Sequence, residues 1–352
     1  MKKLPITLAL AVLFLTSCKN SEEDILPKGD FENGILISGE GSGAGTGSIS
    51  YVSNDFTITD NLIFKDVNNL ELGTFLQSVA FDSENAFIVV DNQNTITVAD
   101  RFTFEKRGEI TTDLSTPRFM AIAGNKGYVT NWGSTASATD DFIAVVDLLT
   151  LTVESTIPVG NGPERIIERD NKLYVSHKGA FTTNNIISVI DITSKEVKEV
   201  TVKDNPDEMY FNSAGQLIAL SSGRTIFDAD FNVIGNTLGS IATIDTTSLS
   251  ITNELVFELG EHPSLMVLEN NTLYYNLGSK IYAIPADATS LATSEIITAE
   301  GFLYGFEVEG DNLFTLNANF SDVSDLNVYS IATKLKTQTK EVALGASKIY
   351  FN

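Results

Sequence analysis

The sequence predicts an all-β fold, a seven-bladed β-propeller with four antiparallel strands in each blade. One short β-branched motif recurs seven times, its copies stand 40 to 54 residues apart, and strand-like companions flank most copies at matched distances. A repeating unit of this length that holds four strands has the size of one propeller blade. No stretch shows sustained helical periodicity, so the sequence excludes helical repeats.

The central strand of each unit ends at a comparable position. Four of the seven copies end in Asp, whose carboxylate can accept hydrogen bonds from the backbone of the turn that follows and so end the strand. The seven copies are Ile49–Ser53, Ile96–Asp100, Ile143–Asp147, Ile187–Asp191, Ile241–Asp245, Ile281–Pro285 and Leu326–Ser330.

Companion strands complete each unit. A strand of the Leu-Tyr-Val type precedes the central strand, as at Gly127–Asn131 and Leu173–His177. An inner strand opened by proline comes earlier still, and proline is tolerated there because no ladder donor is lost at the start of a strand. These openings are at Pro117, Pro163, Pro206 and Pro263.

The two ends of the chain predict how the ring closes. The first unit has only the strands Gly34–Gly39 and Ser48–Val52, and no inner strand precedes them. A single strand, Ser347–Asn352, remains after the last unit. We expect this C-terminal strand to be the innermost strand of blade one, because closure removes the free sheet edges that promote aggregation.

Composition limits the classes of function. The chain has 352 residues with 46 Asp and Glu against 23 Lys and Arg, a formal net charge of −23. That charge excludes nucleic acid as a partner and excludes a polybasic membrane patch. One Cys and two His rule out a disulfide framework and a metal site built from several such residues.

The N-terminus predicts a targeting segment at residues 1–17. Two lysines precede the apolar run Leu4–Leu15, which is too short to span a bilayer and is typical of a secretory signal. Leu15–Cys18 resembles the lipobox of bacterial lipoproteins, which implies that Cys18 is lipidated and that the protein meets the membrane only through this anchor. A plain signal peptide with an incidental Cys is the alternative.

Residues 18–30 form an acidic linker, and residues 31–352 form the propeller. The acidic run after Cys18 resembles the export signal of lipoproteins in Bacteroidota. That resemblance implies an outer-membrane location with the protein facing the cell exterior, whereas a solvated linker without a signal is the alternative.

A family resemblance supports the repeat assignment. The segments that carry it are Tyr128–Asn131, Val145–Asp147, Ile157–Gly160 and Pro163. They resemble the YVTN repeat, whose family includes the YncE-like seven-bladed propellers. Blades six and seven depart from the pattern, with Pro285 and Ser330 where Asp is usual. The chain also resembles Bacteroidota surface propellers found beside TonB-dependent transporters, of which the BtuG-like, cobalamin-capturing group is the best defined.

Loops on one face of the ring are the expected location of a site, because binding residues concentrate on loops held by a rigid scaffold. That face receives the proline openings and the longest insertions. The insertions are Ser38–Ser48, Asn131–Asp141, His177–Asn185, Ser221–Ser240 and Asn317–Asp325. The glycine-rich run Gly39–Gly47 lies in the first of them, but it lacks the lysine of a phosphate-binding loop and precedes a strand, so it predicts a flexible loop.

The candidate ligand-binding residues are aromatic or basic side chains of this face. Aromatic platforms with a few polar anchors suit a small-molecule site. The candidates are Trp132, Arg118, Arg165, His177, Phe181, Arg224, Phe227, His262 and Phe320. Packing between blades is the alternative for the aromatic residues, ion pairing at the rim for the arginines, and an ordinary polar loop role for the histidines.

Two functions from different classes remain open. The first is a non-enzymatic surface lipoprotein that needs no cofactor, captures a small molecule and passes it to a TonB-dependent transporter; the BtuG-like resemblance implies a corrinoid as the ligand. The second is a propeller enzyme of the lactonase or lyase type with a channel metal, for which Glu164, Asp207 and Glu208 are the candidate carboxylates. A protein-interaction scaffold is a third reading, since the fold does not fix function.

Overall fold

The computed structural model describes residues 27–352 and contains the seven predicted blades. Each blade is a four-stranded antiparallel sheet, and one two-stranded hairpin projects from blade five. The signal peptide, Cys18 and most of the linker lie outside the described residues. Within residues 27–352, no helix has the length and apolar character needed to cross a membrane.

The strands follow one another blade by blade. Blade one contains β1 (Gly34–Gly39), β2 (Ser48–Ser53) and β3 (Thr59–Asp60), and the helix α1 (Ile63–Asn68) follows. Blade two contains β4 (Leu76–Phe81), β5 (Asn85–Val90), β6 (Thr95–Asp100) and β7 (Lys106–Ile110). Blade three contains β8 (Pro117–Ala123), β9 (Lys126–Asn131), β10 (Phe142–Asp147) and β11 (Thr152–Pro158). Blade four contains β12 (Pro163–Arg169), β13 (Lys172–His177), β14 (Ile186–Asp191) and β15 (Val197–Thr201).

The remaining blades keep this order, apart from one insertion. Blade five contains β16 (Pro206–Phe211), β17 (Leu217–Ser221), the hairpin β18 (Thr225–Phe227) and β19 (Val233–Asn236), then β20 (Ser240–Asp245) and β21 (Ser250–Val256). Blade six contains β22 (Met266–Glu269), β23 (Thr272–Leu277), β24 (Lys280–Pro285) and β25 (Ile297–Thr298). Blade seven contains β26 (Leu303–Glu309), β27 (Asn312–Asn317), β28 (Val323–Ser330) and β29 (Lys336–Leu344), and β30 (Ala346–Phe351) ends the chain.

The last strand closes the ring as predicted. β30 pairs antiparallel with β1, with Leu36 opposite Tyr350 and Ile37 opposite Ile349. Blade one is therefore assembled from both ends of the chain, in the order β3-β2-β1-β30. Asn352 adds to the closure, because its amide Nδ2 donates to the Phe31 carbonyl over 2.8 Å and its Oδ1 accepts from Arg101 Nε over 2.7 Å.

The core lies between neighbouring blades. The described residues form seven apolar clusters, one for each of the seven interfaces between adjacent sheets. The middle strands pack on both faces, which explains why β10 and β14 read as continuous apolar runs and do not alternate. The outer strand β11 alternates between exposed and half-buried positions, because one of its faces meets solvent.

The predicted strand-ending role of Asp is confirmed. The carboxylate of Asp147 accepts the backbone N–H groups of Leu149 and Thr150 at 2.8 and 3.0 Å. The same pair of bonds recurs in three further blades at Asp100, Asp191 and Asp245.

The glycine-rich loop after β1 is folded on itself and on its neighbours. Thr46 Oγ1 accepts the N–H groups of Ser42 and Gly43, both at 2.9 Å, and the N–H of Gly47 donates to the Gly73 carbonyl. These amides already have partners within the protein. The loop therefore does not present a row of free N–H groups to a phosphate. This agrees with the sequence analysis, which argued against a phosphate-binding loop.

Closure gives a direct test. Deleting residues 346–352 removes the inner strand of blade one and with it Ile349, which exposes Ile35 and Ile37 of the same apolar cluster. We expect the loss of most of the cooperative unfolding transition, measured by urea denaturation with circular dichroism. Deleting Asn352 alone is the control; it removes a few hydrogen bonds and should cost about 1–3 kcal/mol. An unchanged transition in the longer deletion would contradict the closure model.

Candidate functional site at the channel mouth

A β-bulge near the start of the inner strand shapes the mouth of the channel. The register between inner and second strand shifts at this point in six of the seven blades. A bulge inserts one unpaired residue and re-aims its side chain. As a result, consecutive residues such as Arg118 and Phe119, or Glu164 and Arg165, line the same cavity.

The mouth encloses a cavity of about 370 Å³. Inner-strand regions of all seven blades and the loop after β1 line it. They are Glu40, Gln77, Arg118, Phe119, Glu164, Arg165, Lys178, Asp207, Ser264, Leu265, Phe302, Leu303, Tyr304 and Lys348. A smaller cavity continues below it into the channel and is lined by Glu208, Tyr210 and Glu307, among others.

Arg118 ties three blades together at the mouth. Its guanidinium donates to both carboxylate oxygens of Glu164 in blade four, each over 3.0 Å, and to Asp91 Oδ2 in blade two over 2.8 Å. It also stacks on Trp132, with Cζ 3.8 Å from the ring centroid. Such planar, two-pronged pairing suits Arg rather than Lys, and it fixes the position of the indole.

Arg165 makes the next link of this ionic chain. Its Nε donates to Asp207 over 3.1 Å, its Nη2 bonds Glu208, and its guanidinium stacks on Phe119 at 4.3 Å. Lys178 Nζ adds a 2.6 Å bond to Asp207. Burial acts to raise the pKa of Asp207, but the two cations outweigh it and hold that pKa well below its usual range. The ionic chain therefore runs from blade two to blade five.

The opposite side of the mouth is aromatic and carries a lysine without an ion pair in the described residues. Phe302 stacks on Tyr304 at 5.4 Å, and Phe320 meets Tyr304 edge-on at 5.5 Å. Tyr304 donates its hydroxyl to Glu40 over 3.3 Å. Lys348 lines both cavities, and burial together with the nearby Arg165 lowers its pKa. Fixed charge is thus concentrated on one half of the rim.

Below the mouth, the carboxyl group of Glu307 faces the channel, and it forms no ion pair with a cation of residues 27–352. Burial raises the pKa of Glu307 to about 8, and the neighbouring Glu208 carboxylate acts in the same direction. Glu307 therefore carries a proton at neutral pH. Burial also raises the pKa of Tyr210, which lines the same cavity, well above its usual value.

Comparison with known proteins places the sequence in a family. A family model described as a domain of unknown function, DUF5074, matches residues 33–301, which is more than half of the chain. The chain belongs to the DUF5074 family. No curated protein shows significant sequence similarity to it.

Solved structures share the propeller fold with this DUF5074 chain. The dihydro-heme d1 dehydrogenase NirN in complex with DHE has a TM-score of 0.57 at 12% identity, covering 92% of this chain and 77% of its own. The computationally designed Ika8 protein has a TM-score of 0.55 at 11% identity, and the match covers 89% of this chain and 88% of the Ika8 chain. Kuenenia stuttgartiensis hydrazine synthase has a TM-score of 0.51 at 18% identity, and the match covers 71% of this chain and 74% of the hydrazine synthase chain. These likenesses show the fold alone.

Five of the residues predicted from the sequence of this DUF5074 propeller meet at or beside the mouth. Arg118 and Arg165 line the cavity directly. Trp132 stacks on Arg118 and meets Phe181 edge-on at 5.7 Å, while Phe320 packs on Tyr304. The aromatic residues are thus both packed and partly open, since Phe181 is 50% exposed.

The other four candidates lie elsewhere. His177 was expected at the ligand face, but its side chain is fully buried between strands, where Nε2 pairs with Ser188 Oγ at 2.9 Å. Burial lowers the pKa of His177 to about 4, so it is neutral at pH 7 and has no access to the cavity. Arg224 and Phe227 belong to the hairpin of blade five, His262 bonds to that hairpin from the loop before β22, and none of the three lines the mouth.

The candidate list from the sequence lacked several lining residues. Lys348 and Tyr304 stand near the start of inner strands that do not open with proline. The opening proline was the sequence feature that located inner strands, so it did not select these two residues. Glu164, Asp207 and Glu208, expected for a metal-bearing enzyme, are present at the mouth but bonded to Arg118 and Arg165. Among residues 27–352, no group of three or more His, Cys, Asp or Glu side chains is arranged to hold a metal ion.

The Arg118 network predicts a strong stability effect. Arg118→Met leaves the Glu164 carboxylate, only 4% exposed, without its cation. Breaking a buried pair from one side typically costs about 3–5 kcal/mol, whereas Arg118→Met with Glu164→Gln should recover the part due to Glu164, since Asp91 still lacks its cation. Urea denaturation measures both. The control is Arg107→Met, which breaks a surface pair with Asp100 and should cost no more than about 1 kcal/mol. Equal losses for the two single variants would contradict the network.

Glu307 predicts a pH dependence. Because its folded pKa of about 8 is raised above the unfolded value, the stability it contributes is complete below pH 4.5 and is lost as pH rises through 8. Glu307→Gln, which cannot ionise, should melt at a higher temperature than the wild type at pH 9 and close to it at pH 5. Thermal denaturation at both pH values measures this. Glu309→Gln, at the exposed end of the same strand, should shift neither; equal melting temperatures of Glu307→Gln and wild type at both pH values would refute the assignment.

Proposed function

We propose that this protein is a non-enzymatic binding module that captures a small molecule at the channel mouth. The observation that carries the proposal is the rigid array of Arg118, Trp132 and Phe181 beside a cavity of about 370 Å³. Small-molecule sites typically enclose 300–1,000 Å³ and combine aromatic surface with a few fixed polar groups. The mouth has both, and the ion pairs of Arg118 hold its indole partner in place before a ligand arrives.

The lining favours a large, flat ligand with peripheral polar groups. Phe181, Phe302 and Phe320 are 50%, 56% and 38% exposed, so apolar rings face solvent around the rim. A corrinoid is the favoured ligand: a macrocycle of that size would lie across the mouth on these rings. Its side-chain amides would meet the paired carboxylates and Lys348. The protein needs no cofactor of its own for this role.

The cellular role extends this proposal. We infer that Cys18 anchors the protein to the outer membrane by lipid, facing the exterior, and that the captured molecule passes to a TonB-dependent transporter. The support is the lipobox-like Leu15–Cys18 segment and the resemblance to Bacteroidota surface propellers. A Cys18→Ala variant that still partitions with membranes and still carries acyl chains would refute the anchor.

The binding role is preferred to catalysis because the mouth carboxylates are already committed. Glu164 is held by Arg118, and Asp207 by Arg165 and Lys178, so these groups have cations where an enzyme would present them to a substrate or a metal. Metal analysis of the purified protein tests the lactonase-like alternative. A stoichiometric divalent ion that is lost in Asp207→Asn would favour that alternative.

Ligand binding is tested by isothermal calorimetry and thermal shift against a panel of corrinoids, haem and siderophores. We expect a corrinoid to bind and Phe302→Ala with Phe181→Ala to weaken binding at least tenfold, because the exposed rings supply apolar contact without supporting the core. The control is Leu149→Ala with Leu335→Ala, which removes exposed apolar side chains at turns of the opposite face. A panel without binding, or equal loss in both double variants, would count against the site.

A further inference from the structure

The hairpin of blade five projects an apolar surface that the mouth does not use. β18 and β19 pair only with each other and form a separate two-stranded sheet. Isolated hairpins of this kind are marginal unless something covers a hydrophobic face. Phe227, Phe231, Val233 and Ile234 are nevertheless 54%, 86%, 60% and 64% exposed. None of these residues lines the mouth cavity.

The base of the hairpin is fixed to the propeller. His262 Nδ1 donates to the Ser222 carbonyl over 2.9 Å, and its Nε2 lies 3.0 Å from Asn236 Oδ1 and 3.3 Å from Thr225 Oγ1. His262 therefore joins both strands of the hairpin to the loop that begins blade six. On the other side, Arg224 Nε donates to Asp204 over 3.0 Å.

The tip is ordered as well. The Asp228 carboxylate accepts the backbone N–H groups of Asp230 and Asn232, each over 2.9 Å. This turn holds Phe231 at a φ of 62°, a left-handed conformation that is unfavourable for a bulky side chain. A phenylalanine in a strained conformation at an exposed tip contributes nothing to the core. The same left-handed conformation occurs in the Asp-opened turns at Phe104, Leu151 and Leu249, so it belongs to the turn type. The exposure of the Phe231 ring is the unusual feature.

The surroundings of the hairpin are acidic. No Lys or Arg occurs from residue 225 to residue 279, whereas this stretch contains seven Asp and Glu. Two of the seven, Asp228 and Asp230, are at the hairpin tip, and Glu258 and Glu261 precede His262. Asp228 and Asp230 therefore border the exposed apolar surface at the tip, while Arg224, at the base, is paired with Asp204.

We infer that the hairpin is a docking element for a second protein, one that offers an apolar groove bordered by Lys and Arg. The pre-ordered base and tip lower the entropy cost of binding, and exposed aromatic anchors are typical of interface hot spots. A second copy of this chain is disfavoured, because two equal acidic surfaces would repel each other. An anionic membrane is disfavoured for the same reason. The inference is independent of ligand binding at the mouth.

Site-specific photocrosslinking identifies the partner. A photoreactive phenylalanine analogue replaces Phe231 in the full chain, in the cells that naturally make it, and mass spectrometry identifies the crosslinked peptide. The same analogue at Leu335, 66% exposed on the opposite face, is the control. We expect one protein to crosslink at position 231 and not at 335, through a peptide that contains Lys or Arg.

Binding of that purified partner then tests the surface. Replacing Phe227, Phe231 and Ile234 with Ser should weaken binding at least tenfold in calorimetry, and raising NaCl from 0.05 to 0.5 M should weaken the wild type. Replacing Leu149 and Leu335 with Ser should leave affinity unchanged. The triple variant should keep the wild-type response to the ligand panel, which separates this surface from the mouth.

Three outcomes would overturn the inference. The first is a dimer in light scattering that the triple variant abolishes, since the occupant would then be a second copy. The second is sedimentation with phosphatidylcholine or phosphatidylglycerol vesicles that depends on the same side chains. The third is no crosslink at position 231 beyond that seen at 335, or unchanged affinity in the triple variant.

Discussion

The pairing of β30 with β1 is the constraint on which the rest of the structure depends. It joins residues more than 300 positions apart, so its loop-closure entropy is compensated only when all seven blades are in place. Blade one and its interfaces with blades two and seven require this strand, since Tyr350 and Ile349 pack in those two apolar clusters. The same strand brings Lys348 to the mouth, so closure of the ring and completion of the site are one event.

The bulges convert that scaffold into a site. A regular inner strand would alternate, turning one of each pair such as Glu164 and Arg165 towards the neighbouring blade. With the bulge, both line the mouth, and successive blades bring side chains close enough for Arg118 to reach carboxylates of two other blades. The chemistry of the mouth depends on one short position in each of six blades, while the strands around it supply rigidity.

The sequence was sufficient for the fold and for part of the site. Blade number, strand order and the Asp-ended strands are local and periodic, so they can be read from one chain. The partners of Arg118 cannot be read from the sequence, because Asp91 and Glu164 come close to it only when the neighbouring blades are arranged in the ring. His177 shows the opposite error: a polar residue at a strand end suggested an open loop, yet its imidazole is buried with a partner in the adjacent strand. Phe231 needed the structure, since the exposure of its ring cannot be read from the sequence of the turn.

The two halves of the mouth are built from different interactions. Burying ion pairs brings little net stability, because the cost of desolvation offsets the attraction between the charges. The ionic chain from Asp91 to Asp207 is therefore better explained by the geometry that it fixes. Blades two to five are tied together at a set width, and Trp132 is held against that frame. The other half, with Phe302, Tyr304 and Lys348, has few such ties and more exposed ring surface. The two halves of the rim therefore differ in how they are held: buried ion pairs fix one half, and aromatic packing forms the other.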